Sequence, residues 1–477
     1  MQIPNVTFEE RVEKALADPQ LRRAVDRVTR RLTAAWAAAG DAYPPFEARR
    51  DQARRIRAHT LSRLDEYLAQ FAANVEAVGG RVFWAPDAGA ANRYILDLAH
   101  RRGARRVVKS KSMVSEEMGL SPVLEEGGLE VVETDLGEYI IQLAGETPSH
   151  IIGPAIHKTK EQVGELFHER LDIPLTHDPN RLNQAARRTL RRIFLTAEMG
   201  ISGVNFGVAE SGSLCIVTNE GNGRLTTTAP PIHVALMGME RLVPSMGDLS
   251  VMLEVLARSA TGQKISVYTN ILTGPRRAGE PDGPDELHVV ILDNGRSRVL
   301  GSELAEILYC IRCGACLNAC PVYREIGGHA YGSVYSGPIG AVLTPALHGL
   351  DLWPELPQAS SLCGACREIC PVRIDIPGLL LKLRHQSRRA STPAAARSDA
   401  GMRAGIKLYR LAALHPRLFR LAGRLSGWLT RRLARRGWLR RLPPPLSGWT
   451  DHRDFPAFPA RSFTRQWKER QRRLGSS

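Results

Sequence analysis

Apolar positions recur at helical spacing through the first eighty residues of the chain. In residues 7–79 they follow one another every three to four positions, as the buried face of an amphipathic helix requires. Thr7 and Glu10 form a capping box, which predicts where the first helix begins. The Pro-containing segment 41–45 interrupts the pattern, and a Gly-Gly pair ends it. We therefore expect an N-terminal helical region over residues 1–80.

Beyond this region the pattern changes to short apolar runs rich in β-branched residues, separated by helical stretches. Strands that alternate with helices predict a largely parallel sheet with helices on both faces. The predicted strands are residues 81–84, 105–108, 129–132, 139–143, 213–218, 232–236, 264–271 and 287–292, with a helix at 90–102. Segment 274–283, rich in Gly, Pro and Arg, predicts an exposed loop or hairpin arm between the last two strands. The fold class is α/β over residues 81–298.

The charge of the chain is concentrated at one end. The 477 residues carry a net charge of +16. Residues 381–477 hold 24 basic and 4 acidic side chains, whereas residues 1–380 hold 41 and 45. A mildly acidic body is thus followed by a basic, helical C-terminal region, residues 391–477. The apolar content of 43% and the charged content of 24% exclude collagen-like and wholly disordered classes.

The first residues of the chain carry acidic side chains where a signal peptide needs a basic start and an apolar run. No stretch approaches the roughly 18 uninterrupted apolar residues that a membrane span requires. We expect a cytoplasmic protein, in which thiols stay reduced and clustered cysteines serve as metal ligands rather than as disulfides.

Seven of the eight cysteines fall within residues 310–370. The first run is Cys310-Ile-Arg-Cys313-Gly-Ala-Cys316-Leu-Asn-Ala-Cys320-Pro, the spacing of the bacterial two-cluster ferredoxins. Three closely spaced thiolates can hold three corners of one cubane, while the fourth points away and binds the other cluster. We expect an all-α, ferredoxin-like domain with two clusters over residues 299–390.

The second run is Ser360-Ser-Leu-Cys363-Gly-Ala-Cys366-Arg-Glu-Ile-Cys370-Pro, in which Ser360 stands in place of a leading cysteine. The crossed arrangement of such motifs assigns the first cluster to Cys310, Cys313, Cys316 and Cys370, and the second to Cys320, Cys363 and Cys366. We expect two iron-sulfur clusters, with 4Fe-4S favoured, the second having three evident cysteine ligands. Its fourth corner is left open between Ser360, another oxygen or nitrogen ligand such as His329, a partner group and no ligand; an unusual fourth ligand on a cubane ranks first.

Zinc is the alternative occupant of such cysteines, because two C-x2-C pairs can also form a closed tetrahedral site. Zinc requires no C-x3-C-P continuation, and seven cysteines in two related runs suit paired clusters better. Cys215 lies alone in an apolar run and is interpreted as a core residue.

The α/β region contains weaker signals. Segments 207–213 and 219–224 flank a predicted strand, and both can line one end of the sheet. Glu210 is a candidate acid-base group and Arg224 a candidate anion ligand, with ordinary turn chemistry as the equal alternative. Residues 109–112 can bind an anion, but a solvated basic loop is favoured. We assign no catalytic residue, and neither a Rossmann fingerprint nor a P-loop is present in the sequence.

Arginines recur every seven residues in the basic region, at Arg403, Arg410, Arg417, Arg424 and Arg431. This spacing predicts one slowly drifting helical face, broken at His415-Pro416 and at the Gly423/Gly427 pair. We favour docking against protein, either the chain's own body or a partner. Peripheral contact with an anionic membrane is an alternative, and nucleic acid is disfavoured because no recognised binding motif accompanies the charge.

With these motifs identified, the chain resembles the lactate utilisation protein B family. The resemblance rests on CIRCGACLNACPVYREIGGHAYGSVYSGPIG, SSLCGACREICPV, GVNFGVAESGSLCIVTNEGNGRLTT and PLSGWTDHRDFPAF, and it covers nearly the whole chain. It implies an α/β domain similar to sugar-phosphate isomerases and CoA transferases, a ferredoxin-like domain and a short C-terminal domain. The same seven cysteines are implied as cluster ligands.

The resemblance also implies a function: an iron-sulfur electron-transfer subunit that works with companion subunits to oxidise L-lactate to pyruvate and passes electrons to an unidentified acceptor. One alternative is an electron-transfer subunit for another 2-hydroxy acid or glycerol-phosphate dehydrogenase. A second alternative is a non-enzymatic iron-sulfur sensor that binds nucleic acid through its basic region.

Overall fold

The structure is a computed structural model that describes residues 6–389, 393–443, 446–450 and 453–474. The chain forms two compact units, Met1–Arg389 and Ala390–Ser477. The strands of the first unit are β1 (Arg81–Ala85), β2 (Arg106–Lys109), β3 (Glu130–Glu133), β4 (Met199–Gly203), β5 (Phe206–Val208), β6 (Ser213–Thr218), β7 (Ile232–Gly238), β8 (Leu242–Val243), β9 (Tyr268–Leu272) and β10 (Glu286–Leu292).

The helices of the first unit surround these strands. They are α1 (Phe8–Ala17), α2 (Pro19–Asp41), α3 (Phe46–Ser62), α4 (Leu64–Ala77), α5 (Ala88–Arg101), α6 (Met113–Met118), α7 (Leu120–Glu126), α8 (Leu136–Ala144), α9 (Lys160–Leu171), α10 (Pro179–Thr196), α11 (Asn222–Thr228), α12 (Met246–Thr261), α13 (Arg296–Leu300), α14 (Ala315–Ala319), α15 (Pro321–Ile326), α16 (Gly337–His348), α17 (Ala365–Ile369) and α18 (Ile376–Arg389).

The N-terminal region is helical, as predicted. Thr7 accepts a hydrogen bond from the backbone N–H of Glu10 at 3.3 Å, and the Glu10 carboxylate accepts one from the backbone N–H of Thr7 at 2.9 Å. This capping box begins α1, since it satisfies N–H groups that have no partner within the helix. The predicted interruption at residues 41–45 separates α2 from α3. Helix α2 then packs against α14 and α15, which follow in the cysteine segment.

The main sheet has six strands in the order β1-β10-β7-β4-β2-β3, and every neighbouring pair is parallel. Alternate side chains of β10 enter different cores: Val289 and Ile291 pack in one, and Val290 and Leu292 in the other. Because strand side chains alternate between faces, both faces of this sheet are covered. The predicted helix-covered parallel sheet is confirmed.

A second sheet of four strands, in the order β8-β5-β6-β9, was not expected from the sequence. Strand β6 pairs antiparallel with both β5 and β9. The predicted strands at residues 213–218 and 264–271 therefore lie outside the parallel sheet, and the second of them begins only at Tyr268. Segment 274–283 connects two different sheets and so is not the arm of a hairpin.

The predicted strand at residues 139–143 is wrong, because these residues belong to α8. Asp135 caps the helix by accepting a hydrogen bond from the backbone N–H of Glu138 at 3.2 Å. Gly145 ends it in the left-handed conformation, at φ 66°. A short apolar run does not distinguish a buried strand from a buried helix, so these flanking residues carry the decisive signal.

The cysteine segment follows the last strand of the sheet. All residues from 293 to 389 are described, and they form helices and turns alone. Helix α16 is buried along its length apart from its last residue, and it packs against α14 and α18. The two cysteine motifs meet where α14 packs against α17.

The second unit contains α19 (Pro393–Leu414), α20 (Pro416–Leu433), β11 (Trp438–Leu439), β12 (Phe455–Pro456) and α21 (Phe463–Leu474). The predicted break at His415 separates α19 from α20. The predicted break at Gly423 and Gly427 is wrong, because α20 runs through both glycines; each costs only about 1 kcal/mol in a helix. Apolar side chains such as Leu408 and Trp428 are exposed on this unit.

Among the described residues, none of the helices combines the length and the apolar character that a membrane span needs. The arginines of the seven-residue pattern from Arg410 to Arg431 are exposed, whereas the side chain of Arg403 lies outside the described part of the chain.

Candidate functional site

The first cysteine motif is a tight turn that leads into two short helices. Cys310 follows a 3-10 turn, and Arg312 then adopts the left-handed conformation at φ 59°. Gly314, at φ 75°, begins α14, which carries Cys316. Cys320 ends α14 and caps α15, whose first residue is a proline that has no N–H to satisfy.

The second motif follows the same path. Leu362 is left-handed at φ 55°, and Gly364 begins α17 at φ 86°. Helix α17 carries Cys366 in its first turn and ends at Cys370. The sequence similarity between the two runs is therefore a similarity of backbone conformation.

The seven cysteines of the two motifs differ in exposure. None of them forms a disulfide; five are buried, Cys310 is half-buried and Cys363 is exposed. The electrostatic interactions of the thiols identify their neighbours. Cys313 interacts with Cys310 and Cys370, and Cys316 with the same two thiols as well as with Cys313 and Cys366. A second set of interactions joins Cys320, Cys363 and Cys366. Each set combines cysteines from both motifs, and the two sets adjoin where Cys366 of the second interacts with Cys316 of the first.

Burial raises the pKa of these thiols. It raises the pKa of Cys370 to about 11 and that of Cys366 to about 12, and neighbouring thiols act in the same direction. Buried thiols with such pKa values hold a negative charge only when a cation lies beside them, and the iron of a bound cluster would supply one. In the described residues no group of three or more His, Cys, Asp or Glu side chains is arranged around a position for a single metal ion.

Backbone N–H groups point at the sulfurs. The N–H of Arg312 donates to Cys310 Sγ, that of Tyr323 to Cys320 Sγ and that of Ile374 to Cys370 Sγ, each with an N···S distance of 3.4 Å. Such bonds stabilise negative charge on sulfur and tune the reduction potential of a cluster. The donor set of soft, mutually close sulfurs with N–H partners fits iron-sulfur clusters.

Two arginines contact the backbone of cysteines in the first set. Arg50 Nη2 donates to the carbonyl oxygen of Cys370 at 3.0 Å, and Arg241 Nη1 donates to that of Cys310 at 3.3 Å. Both arginines are buried. A buried positive charge near a cluster favours its more negative, reduced state.

A cavity of about 350 Å³ adjoins the first motif. Cys313 and Arg312 line it on one side, and on the other side it is lined by residues that follow the carboxyl ends of β2, β4 and β7. Lys111 also lines the cavity, and its Nζ donates to the carbonyl oxygen of Ile152 at 2.9 Å. The carboxyl ends of parallel strands are where α/β sheets bind ligands.

A buried ionic network adjoins this cavity through Glu240 and Arg312, which line it. Arg296 Nη2 lies 2.7 Å from Glu117 Oε2, and Arg296 Nε lies 2.7 Å from Glu240 Oε2. Arg312 Nη2 is 3.5 Å from Glu240 Oε1, and its guanidinium group is 4.6 Å from the centre of the Tyr335 ring. Burial acts to raise the pKa of Glu240, but the three arginines Arg296, Arg241 and Arg312 hold it below its usual value.

Of the weaker candidates from the sequence, some line the cavity and others do not. Asn219, Glu220, Asn222 and Gly223 line the cavity, and burial raises the pKa of Glu220. Glu210 instead accepts a hydrogen bond from the backbone N–H of Met246 at 2.6 Å, outside the cavity. Arg224 is exposed and is not among the residues that line it.

Residues 109–112 are not a solvated loop. Lys109 is fully buried, with its Nζ 2.7 Å from Glu133 Oε1 and 2.8 Å from Glu116 Oε1. The three residues that follow Lys109 line the cavity. These ion pairs could not be predicted from local sequence, because the partners of Lys109 lie on other elements. Cys215 is buried in the apolar core, as predicted.

His150 was not assigned a role from the sequence, yet it packs against the first motif. Its Nε2 lies 3.2 Å from Asn318 Oδ1, and burial lowers its pKa to about 4. It is thus a neutral, hydrogen-bonded side chain that supports α14.

The fold and the site together define an iron-sulfur protein built around an α/β domain. Three family descriptions match successive parts of the chain: the LUD domain over residues 68–292, the 4Fe-4S dicluster domain over 306–374, and the C-terminal domain of lactate utilisation protein B over 382–472.

Curated relatives match along the full length. The chain is 47% identical over 479 residues to lactate utilization protein B of Geobacillus thermodenitrificans, covering 100% of this chain and 99% of that one. It is 46% identical over 468 residues to the protein of the same name from Bacillus subtilis, covering 98% and 97%. A crystal structure of a DUF162 family protein from Deinococcus radiodurans aligns with a TM-score of 0.28 at 15% identity over 48% of this chain and 98% of that one. The chain belongs to the lactate utilisation protein B family.

Proposed function

We propose that this chain is the iron-sulfur electron-transfer subunit of a complex that oxidises L-lactate to pyruvate together with companion lactate-utilisation subunits. Membership of the lactate utilisation protein B family and the match to the 4Fe-4S dicluster domain support this role. The observation that carries it is the grouping of thiols from both motifs into two sets.

We base the proposed ligands on these two sets. The first cluster is held by Cys310, Cys313, Cys316 and Cys370, and the second by Cys320, Cys363 and Cys366. The domains we propose are residues 1–80, 81–298, 299–390 and 391–477. Clusters of this kind carry single electrons, so two of them can together accept the electron pair that leaves a 2-hydroxy acid.

The proposed ligands of the two clusters differ in exposure, and we infer the order of the electron path from this difference. Cys313, a ligand of the first cluster, lines the cavity, whereas Cys363, a ligand of the second, is exposed. Electrons enter at the cavity and reach the acceptor from the exposed edge of the second cluster. Lys111 and Arg241 give the cavity the positive charges that a carboxylate donor requires.

Lactate-dependent reduction of the clusters tests the role. The full chain is reconstituted anaerobically with its companion subunits, and cluster reduction is followed by absorbance and EPR. L-lactate is expected to reduce the clusters, whereas glycolate and glycerol phosphate are not. Clusters that respond to glycolate or to glycerol phosphate but not to L-lactate would assign the chain to a different dehydrogenase.

The variant Lys111→Met tests the cavity as the point of entry. It is expected to slow lactate-dependent reduction at least tenfold, while reduction by dithionite is unchanged. Lys160→Met is the matched control, because Lys160 is an exposed residue of α9 that does not line the cavity. Equal rates for the two variants would remove the cavity from the electron path.

The nucleic-acid alternative predicts DNA binding that weakens as salt is raised and disappears when residues 403–477 are deleted. We expect no such binding at physiological ionic strength. Its detection would favour the sensor function.

A further inference from the structure

The two cysteine motifs share a conformation that is costly for their residues. Arg312 and Leu362 each stand directly before a ligand cysteine, and each has a positive φ, 59° and 55°. For a residue other than Gly, this left-handed conformation costs on the order of 1 kcal/mol or more. A residue with positive φ at the same position in both loops indicates that both loops are shaped to present the same set of atoms.

Ser360 occupies the position that Cys310 holds in the first motif. Cys310 Sγ accepts the backbone N–H of Arg312, two residues on, at 3.4 Å. Ser360 Oγ accepts the backbone N–H of Leu362, also two residues on, at 3.1 Å. Both side chains are half-buried. The hydroxyl oxygen of Ser360 therefore lies where the first motif places a ligand sulfur.

His329 is engaged elsewhere. Its Nε2 is 2.7 Å from the carbonyl oxygen of Thr147, and its ring packs edge-on against His157 with the ring centres 4.8 Å apart. The structure thus favours the serine over the histidine for the fourth corner of the second cluster.

We propose that Ser360 Oγ is the fourth ligand of the second iron-sulfur cluster, alongside Cys320, Cys363 and Cys366. The inference rests on the proposed function in that it requires the second cluster to be bound. When the oxygen binds iron, the O–H bond breaks, an Fe–O bond forms and the proton goes to solvent, with no change in the oxidation state of the iron. Oxygen is a harder donor than sulfur. The iron at this corner is therefore distinct from the other three and is the one most readily lost.

The test compares three variants of the full chain, each reconstituted anaerobically, by iron and sulfide content, EPR and Mössbauer spectroscopy. Two 4Fe-4S clusters give about eight irons per chain. Ser360→Ala is expected to lose about one iron per chain and to show the EPR signal of an oxidised three-iron cluster. Ser360→Cys is expected to keep all its irons, to remove the spectroscopically distinct iron and to resist air longer. Ser361→Ala is the matched control, because Ser361 corresponds to the non-ligand Ile311, and it is expected to match the wild type.

The outcomes separate this inference from the proposed function. A Ser360→Ala protein with full iron content and wild-type spectra overturns the serine ligand while leaving both clusters in place. A wild-type protein whose second cluster already has three irons overturns it as well. A wild-type protein with only about four irons would contradict the second cluster itself. Should Ser360→Ala fail to fold, Ser360→Cys decides the question, because an unchanged Mössbauer spectrum refutes the ligand.

Discussion

Replacement of Glu117 by glutamine tests the buried ionic network that adjoins the cavity. Glu117 is fully buried, and both of its oxygens accept hydrogen bonds from Arg296, at 2.9 and 2.7 Å. Asn294 also donates to Oε1 at 2.7 Å, and Tyr335 donates to Oε2. The amide NH2 group of a glutamine would face these donors and leave the Arg296 charge with Glu240 alone. Glu117→Gln should therefore be strongly destabilising.

The pKa of Glu117 gives the size of its contribution to the free energy of unfolding. Burial acts to raise it, but Arg296 and the hydrogen-bond donors outweigh burial and lower it from 4.5 to about 2. At about 1.4 kcal/mol per pKa unit, the ionised group stabilises the fold by about 3 kcal/mol. Because the folded-state pKa is lowered, this stability is fully present above pH 4.5 and is lost as the pH falls towards 2.

The assay is urea unfolding of the full chain followed by tryptophan fluorescence. At pH 7 we expect Glu117→Gln to lower the unfolding free energy by about 3 kcal/mol, in line with the loss of a buried ion pair. The control Glu126→Gln alters an exposed residue at the end of α7 and should change it by less than about 0.5 kcal/mol. The difference in unfolding free energy between the wild type and Glu117→Gln should become smaller as the pH is lowered from 4.5 to 2. Equal unfolding midpoints for the two variants at pH 7 would refute the reasoning.

Two further predictions concern the clusters and the packing around them. Cys370→Ser should weaken the EPR signal of the first cluster although the residue lies in the second motif, whereas Cys215→Ala should leave iron content unchanged; loss confined to the second cluster would contradict the crossed assignment. Gly340→Ala should lower the thermal midpoint, because its Cβ would stand 1.8 Å from a backbone oxygen, whereas Gly405→Ala, in an open position in α19, should raise it slightly. A tolerated Gly340→Ala would show that this close approach does not constrain α16.

Local patterns predicted much of the molecule because their information lies within a few residues. The capping box at Thr7 begins a helix, and the spacing from Cys310 to Cys320 indicates the clusters. The run at residues 139–143 was misassigned because its helix signals, Asp135 and Gly145, flank it rather than lie within it. Strand order depends on contacts between distant segments, so the separate sheet of β5, β6, β8 and β9 was not visible.

The cavity was only partly predictable for the same reason. Segment 219–224 was correctly placed near a sheet end, but Glu210 and Arg224 do not line the cavity. The residues of the ionic network that adjoins it come from elements far apart in the chain, and each is an ordinary charged residue in its local sequence. The equivalence of Ser360 and Cys310 required backbone conformations and hydrogen bonds that sequence comparison does not provide.

The central claim is that seven cysteines from two motifs hold two iron-sulfur clusters by exchanging one ligand each. Iron and sulfide quantification combined with Mössbauer spectroscopy of the anaerobically purified full chain tests it most directly. The account predicts about eight irons and eight sulfides per chain, with cubane spectra. Stoichiometric zinc, or no bound iron after attempted reconstitution, would contradict it.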